Sequence, residues 1–338
     1  MIFIGLLIIA IGAFCQSSSY VPINKIKSWH WESYWLVQGV FAWLLFPLLG
    51  SLLSIPEGNG FADLLSIFSN HPRETWLTIL FGALWGVGGL TFGLSMRYLG
   101  VALGQSIALG TCAALGTILT PVFTGNTDSL TAPVLVGVAI TLCGIAVIGV
   151  AGGMKSASLP DEEKKKAVKD FNFTKGLIVA LLAGFMSACF SIGLGYGANL
   201  KLEGTKDLFA SLPATMLVTF GGFLTNAVYC LFQNVKNKSF VDYKNCGLWL
   251  WNLPFCCLAG LLWYSQFFGL SLGKGFLESS ETLIAFSWCI LMALNVTFSN
   301  VWGIILKEWK GCGKGTIVVL LLGLAVLIVS SFLPQLLD

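Results

Sequence analysis

Residues 132–151 read APVLVGVAITLCGIAVIGVA and contain no charged side chain. A helix needs about 20 consecutive apolar residues to cross the hydrocarbon core of a bilayer, so this stretch predicts a transmembrane helix. Residues 161–166, which follow closely, read DEEKKK and are the one marked break in the composition of the chain. A short charged run of this kind is typical of a solvated connection between helices.

The whole chain has the composition of a membrane protein. Of its 338 residues, 56% are hydrophobic and only 10% are charged, whereas roughly a quarter of the residues in an ordinary soluble domain are charged. This is too little charge to cover a water-facing surface, which excludes a soluble globular domain. Uninterrupted apolar length predicts ten spans, at residues 2–21, 34–53, 75–96, 101–122, 132–151, 176–196, 209–232, 247–272, 282–305 and 315–335.

The basic residues predict the orientation of these spans. Fifteen of the 19 lysines and arginines lie in loops that follow odd-numbered spans. Because basic residues are enriched in cytoplasmic loops, these loops are predicted to face the cytoplasm and both termini the periplasm. The basic residues are confined to short loops between apolar runs, so nucleic acid is excluded as a partner.

Short motifs recur in the same order on both sides of the charged segment. Phe92-Gly93-Leu94-Ser95 at the end of the third span matches Phe268-Gly269-Leu270-Ser271 at the end of the eighth, and weaker matches relate the first span to the sixth and the fifth to the tenth. Because each half has five spans, the second half is inverted. The sequence therefore predicts an all-α integral membrane protein with ten transmembrane helices in two inverted five-helix repeats. The predicted domains are the first repeat (1–153), a charged cytoplasmic linker (154–175) and the second repeat (176–338).

Several motifs together resemble one family of transporters. They are Trp29-x-Trp31-Glu32-x-x-Trp35, Leu84-Trp85-Gly86, Phe92-Gly93-Leu94, Met96-Arg97-Tyr98-Leu99-Gly100, Trp263-Tyr264-x-Gln266-Phe267-Phe268 and Leu306-Lys307-Glu308-Trp309. With them the chain resembles, from its first span to its tenth, the L-rhamnose–proton symporter family of the drug/metabolite transporter superfamily. The resemblance implies a bacterial inner membrane, inward movement of a 6-deoxyhexose and coupling to protons. L-rhamnose is the leading substrate, and a related 6-deoxyhexose or other monosaccharide remains an alternative.

A sugar offers hydroxyl groups for hydrogen bonding and C–H faces that pack on aromatic rings. Amide and tryptophan side chains within the spans are therefore the candidate sugar-binding residues, and we expect six of them to line a central cavity. The six are Gln16, Trp85, Gln105, Trp263, Gln266 and Asn295. In the competing interpretation the amides link helices by hydrogen bonds, and the tryptophans belong to the core or the membrane interface. The interfacial interpretation is favoured for Trp29, Trp31 and Trp35.

Proton coupling requires a titratable group whose surroundings change between the two access states. No charged residue or histidine lies in the middle third of a predicted span, so the candidates lie near the ends of spans. Glu32 is the first choice, Glu281 the second and His30 the third. The coupling ion is H⁺, with Na⁺ as an alternative. No cofactor and no obligate protein partner is expected beyond the sugar, the proton and the lipid bilayer.

Other classes of function fit the sequence less well. The ten cysteines have no metal-type spacing, and most lie in apolar runs, where free buried thiols are expected. Paired carboxylates in mid-span and an HExxH motif are missing from the sequence, so a membrane enzyme is not expected. The repeat disfavours a channel or receptor. An exporter of a small metabolite or drug remains the alternative, because the architecture does not fix the direction of transport.

Overall fold

The computed structural model describes residues 1–99, 101–158, 173–307 and 309–337. Every regular element in these ranges is helical. Ten of the helices are long and apolar enough to cross a membrane, which confirms the predicted all-α membrane fold and its number of spans.

The ten membrane helices are numbered spans 1 to 10 in chain order. Their bounds are Ile2–Ser18 with its continuation Tyr20–Ile23, Trp31–Leu52, Pro72–Leu99, Val101–Thr124, Ala132–Ser158, Phe173–Tyr196, Leu212–Asn237, Cys246–Phe276, Glu281–Ile305 and Lys314–Leu337. Most predicted ends lie within a few residues of these bounds. The C-terminal ends of spans 5, 7 and 8 extend further than predicted, because polar residues continue a helix beyond its apolar run.

Several shorter elements were not predicted. Val40–Leu45 in the middle of span 2 is a π-helical segment, in which the hydrogen bonds skip one residue more than in an α-helix. A short α-helix, Phe61–Asn70, precedes span 3. Three short 3₁₀-helical segments occupy Thr127–Ser129, Asp207–Phe209 and Ser239–Lys244.

One compact unit comprises Met1–Gly86 and Gly193–Phe276, and we call it the first unit. Span 1 lies along span 8 within it, at small residues that let the backbones approach. A Cβ atom on Gly12 would lie 2.9 Å from the carbonyl oxygen of Ser265, so only glycine fits there without a shift. Small residues have this role at many helix contacts in membranes.

The second unit comprises Val87–Ile192 and Leu277–Asp338. Its core joins spans 5, 9 and 10 through a cluster of buried aliphatic side chains. The cluster consists of Ile145, Ile148, Ala151, Ala293, Val296, Leu320, Leu324 and Leu327. Burying such side chains in close contact supplies the dispersion attraction that holds helices together in lipid.

Each unit draws spans from both predicted repeats. Span 5 packs on span 10 in the second unit and span 2 on span 7 in the first, and both pairs are counterparts in the predicted repeat. The packing is consistent with the inverted repeat, which stays a prediction. Residues 159–172, most of the predicted linker, lie outside the described residues.

Candidate functional site

Two of the predicted sugar-binding residues meet in the first unit. The ring centroids of Trp85 and Trp263 lie 5.6 Å apart, with planes inclined by 35°. A third ring, that of Trp43, stands almost perpendicular to both, at 6.0 Å from Trp85 and 5.9 Å from Trp263. We call Trp43, Trp85 and Trp263 the tryptophan cluster. It presents aromatic faces and indole edges from spans 2, 3 and 8 in one place.

The π-helical segment of span 2 positions Trp43 in this cluster. The Trp43 ring folds back over Gly39, where a Cβ atom would lie 2.6 Å from the ring carbons. The side chain is 3% exposed, and its indole Nε1 has no hydrogen-bond partner within the described part of the chain. Helical periodicity did not single out Trp43, because a π-helical segment changes the face on which the following residues lie.

Two of the predicted amides lie in the first unit and form hydrogen bonds within their own helices. Gln266 is 3% exposed, and its Nε2 donates to the carbonyl oxygen of Trp263 at 3.2 Å. Its Cα lies against Gly12 of span 1. Gln16, near the end of span 1, is half-buried, and its Oε1 lies 3.4 Å from the hydroxyl of Ser17.

The other two predicted amides belong to the second unit. Asn295 is 7% exposed in span 9, beside the buried core residues Ala293 and Val296. Gln105 lies in span 4, and its side chain is outside the described part of the structure. A cavity lined by all six residues therefore stays a prediction.

The first candidate for proton coupling, Glu32, is completely buried in the first turn of span 2. Its Oε1 accepts hydrogen bonds from Asn237 Nδ2 at 2.9 Å and from the Ser239 hydroxyl at 2.7 Å. Its Oε2 is buried and has no partner among the described residues. A proton can therefore bind to Oε2 without displacing either of the two hydrogen bonds.

Glu32 belongs to a line of polar contacts between spans 2 and 7. The Ser33 hydroxyl donates to Asn234 Oδ1 at 3.1 Å, and the indole Nε1 of Trp35 donates to Asn226 Oδ1 at 3.1 Å. We call Glu32, Ser33, Trp35, Asn226 and Asn234 the polar seam. Glu32, Ser33, Asn226 and Asn234 are buried and Trp35 is half-buried, and the low dielectric of such surroundings strengthens hydrogen bonds between side chains.

A hydrogen-bonded pair, His30 and Asp242, lies next to the polar seam. His30 Nδ1 is 3.0 Å from Asp242 Oδ2, and the His30 backbone N–H donates to the same carboxylate at 2.8 Å. The His30 side chain is 51% exposed, whereas that of Asp242 is 5% exposed. Burial raises the pKa of Asp242, but the hydrogen bonds from His30 and Ser33 outweigh burial and hold that pKa below its ordinary value.

The three tryptophans at the start of span 2 differ in their surroundings. Trp31 is 41% exposed, as expected of an interfacial residue. Trp29 is 8% exposed and packs edge-to-face on Tyr243 and Trp249. Trp35 donates to Asn226 inside the first unit. Trp29 is thus a buried residue of the first unit and Trp35 is half-buried, and the interfacial interpretation of these tryptophans stays a prediction.

The second candidate, Glu281, lies in the first turn of span 9 and is exposed. A carboxylate at a helix N-terminus is stabilised by the helix dipole. The Ser280 side chain caps the same helix by accepting from the Leu283 N–H at 3.2 Å. At this position Glu281 stabilises the N-terminus of span 9. Its part in proton coupling stays a prediction.

Sequence reasoning missed the partners of Glu32 and Trp35 on span 7. Asn226, Asn234 and Asn237 recur at a spacing that places them along one helix face, and Asn226 and Asn234 are buried. That spacing was a usable signal, because amides at this depth need partners. Within the described residues no group of three or more histidine, cysteine, aspartate or glutamate side chains is placed to hold a metal ion.

Comparison with known proteins agrees with the resemblance found in the sequence. A model of the L-rhamnose-proton symport protein family matches residues 1–336. The L-rhamnose-proton symporter of Shigella dysenteriae is 33% identical, over 95% of this chain and 94% of its own length. Those of Escherichia coli and Shigella flexneri are 32% identical with the same coverage. The chain therefore belongs to the L-rhamnose-proton symport protein family.

Proposed function

We propose that this protein imports L-rhamnose together with protons by alternating access. Family membership over nearly the whole chain carries the proposal, and it favours a transporter over an enzyme. It also favours import over the export of a small metabolite or drug. A closely related 6-deoxyhexose is the alternative substrate within this function.

The tryptophan cluster is proposed as the surface on which the sugar packs. The C–H faces of a pyranose pack on indole rings, and the deoxygenated methyl corner of L-rhamnose adds apolar surface. The buried Nε1 of Trp43 is a donor suited to a sugar hydroxyl, since nothing in the described part of the chain accepts from it. The amides of Gln16, Gln105, Gln266 and Asn295 are proposed to supply further donors and acceptors.

Glu32 is proposed as the group that carries the proton. Protonation at Oε2 removes a charge from a buried site, so the stability of the polar seam depends on whether the proton is present. With the proposed periplasmic termini in a bacterial inner membrane, Glu32 lies at the cytoplasmic end of span 2. Its proton is then released to the cytoplasm when the seam opens on that side.

Uptake into proteoliposomes tests the transport proposal. Labelled L-rhamnose is expected to accumulate when an inward proton gradient is imposed, and unlabelled L-rhamnose is expected to compete better than L-fucose, L-lyxose or D-glucose. Accumulation with an inward Na⁺ gradient alone would identify Na⁺ as the coupling ion. Accumulation with an outward proton gradient only would support antiport and contradict the proposal.

The Glu32→Gln variant tests the proton carrier. The amide keeps the size of the side chain and an acceptor for Asn237 and Ser239, but it cannot bind the proton. We expect proton-driven accumulation to be lost, while exchange of labelled for unlabelled sugar continues. Glu281→Gln is the comparison, and accumulation is expected to continue in it. The opposite pattern would transfer the role to Glu281.

A further inference from the structure

We propose that Asn226 is a positioning residue that links proton binding at Glu32 to sugar binding at the tryptophan cluster. The inference rests on the proposed function and adds to it a specific route through the first unit. Neither a family match nor the sequence alone assigns a role to this side chain.

The orientation of the Asn226 amide is determined by its neighbours. The side chain is 3% exposed, and its Nδ2 donates to the carbonyl oxygens of Gly222 at 2.9 Å and Gly86 at 3.5 Å. Oδ1 therefore points away from these carbonyls and needs a donor. The indole Nε1 of Trp35 supplies it at 3.1 Å. Asn226 thus joins spans 2, 3 and 7 through one buried side chain.

Two of the three hydrogen bonds of Asn226 lead to the tryptophan cluster. The ring of Trp35 packs edge-to-face on that of Trp43, with centroids 5.6 Å apart. Gly86, which accepts from Asn226, directly follows Trp85 in span 3. Without the Asn226 amide, the indole N–H of Trp35, beside Trp43, would lose its hydrogen-bond acceptor. The carbonyl oxygen of Gly86, next to Trp85, would lose a hydrogen-bond donor. Two members of the cluster therefore depend on Asn226 for part of their support.

The same two helices carry Glu32. Trp35 is less than one helical turn from Glu32 on span 2, and Asn226 is about two turns from Asn234 on span 7. The Ser33 hydrogen bond to Asn234 and the Ser239 contacts with both Glu32 and Asn234 tie these helices near the carboxyl group. A shift of span 2 against span 7 when Glu32 gains or loses its proton must therefore also act on the Trp35–Asn226 hydrogen bond.

Few titratable groups surround Glu32 in the described residues. His30 precedes it on the same segment, and Cys230 faces it from span 7. Asp242 and Tyr243, in the turn after span 7, contact His30 and Ser33. A thiol and a phenol are neutral near neutral pH, and Asp242 is engaged by His30. Glu32 is the carboxyl group that belongs to the polar seam itself, so a change of its charge acts directly on the seam.

The test compares the pH dependence of sugar affinity in wild-type protein and two variants. Trp35→Phe keeps an aromatic ring but removes the indole donor, and Asn226→Leu removes the acceptor at similar volume. In the wild type, a coupling free energy of ordinary size between the proton and sugar sites predicts an apparent affinity for L-rhamnose about tenfold higher at acidic than at alkaline pH. In both variants we expect this ratio to fall towards one, with sugar exchange retained.

Matched controls separate coupling from general damage. Trp31→Phe changes an exposed indole in the same turn of span 2, and Gln233→Leu changes an amide on span 7 outside the seam. Both are expected to keep the wild-type ratio. A merely structural role of Asn226 would lower activity equally at every pH, and an unchanged ratio in Trp35→Phe and Asn226→Leu would overturn the inference. Failure of wild-type protein to transport L-rhamnose would instead contradict the proposed function.

Discussion

Trp85 and Trp263 bring their rings to a centroid distance of 5.6 Å from spans 3 and 8, which are counterparts in the predicted repeat. The two rings pack against different residues. The Trp85 ring lies on Gly222 of span 7, and Trp263 packs on Phe267 of its own helix at 5.2 Å. Protein contacts thus hold both rings, and side chains that are already ordered lower the cost of ordering a site on binding.

Removing either ring should weaken sugar binding. We expect Trp85→Ala and Trp263→Ala to raise the KM for L-rhamnose by roughly tenfold, because an aromatic contact contributes about 1 kcal/mol beyond its buried area. Trp76→Ala, in which a 69% exposed ring at the start of span 3 is removed, is the control and should leave KM unchanged. An unchanged KM in both cluster variants would show that the sugar binds elsewhere.

The contact between spans 1 and 8 should not accept a larger residue. In Gly12→Leu the new side chain meets the backbone of Ser265 and Gln266, which cannot move aside without separating the helices. We expect a loss of about 1–3 kcal/mol in stability, measured as a lower midpoint of thermal unfolding in detergent. Gly89→Leu is the matched control, since a Cβ there meets no atom within 4 Å. Equal losses in both variants would contradict the packing described for Gly12.

Substitutions at Gly50 and Tyr264 should compensate each other in their effect on stability, because the two residues are in contact. A Cβ on Gly50 would collide with the Tyr264 hydroxyl, which is buried and has no hydrogen-bond partner among the described residues. We expect Gly50→Ala to lower the unfolding midpoint and Tyr264→Phe to leave it unchanged or raise it, because an unsatisfied buried hydroxyl costs about 1–3 kcal/mol. The double variant should recover part of the loss. Simple addition of the two single effects would disprove a direct contact.

The hydrogen bonds that Asp242 accepts from His30 should make the stability of the folded protein depend on pH. The pKa of Asp242 is lowered in the folded protein, so its contribution is complete above the ordinary value of 3.8 and is lost as the pH falls through the lowered value. Asp242→Asn should therefore lower the unfolding midpoint at neutral pH, and the difference from wild type should shrink in strong acid. Asp128→Asn, at an exposed position, should show no such trend. A difference that is constant with pH would contradict the assignment.

The membrane fold could be predicted because apolar length is a local property. Each span is recognised from its own run of apolar residues, without information about the helices that pack against it. The helix Phe61–Asn70 could not be found in this way, because it is short and its buried residues Leu64 and Phe68 pack on Leu200 and Leu217 from a distant part of the chain. The π-helical segment Val40–Leu45 likewise has no signal in apolar length.

The candidate site could be predicted only in part. The chemistry of a sugar singled out Trp85 and Trp263, whose rings do meet, and Glu32 was chosen for its position among tryptophans. Their roles in sugar and proton binding stay predictions. Asn226 and Asn234 were missed because their importance depends on Trp35 and Ser33 on another helix. The sequence shows an amide within a span, but only the fold shows which donor it meets.

The most direct test of the central claim is proton entry driven by the sugar itself. Proteoliposomes containing a pH-sensitive dye, with equal pH and potential on both sides, receive L-rhamnose on the outside. Proton symport predicts acidification of the interior that follows the sugar inward, is absent with D-glucose and is lost in Glu32→Gln. Entry of labelled L-rhamnose without acidification, or with alkalinisation, would contradict proton symport by this protein.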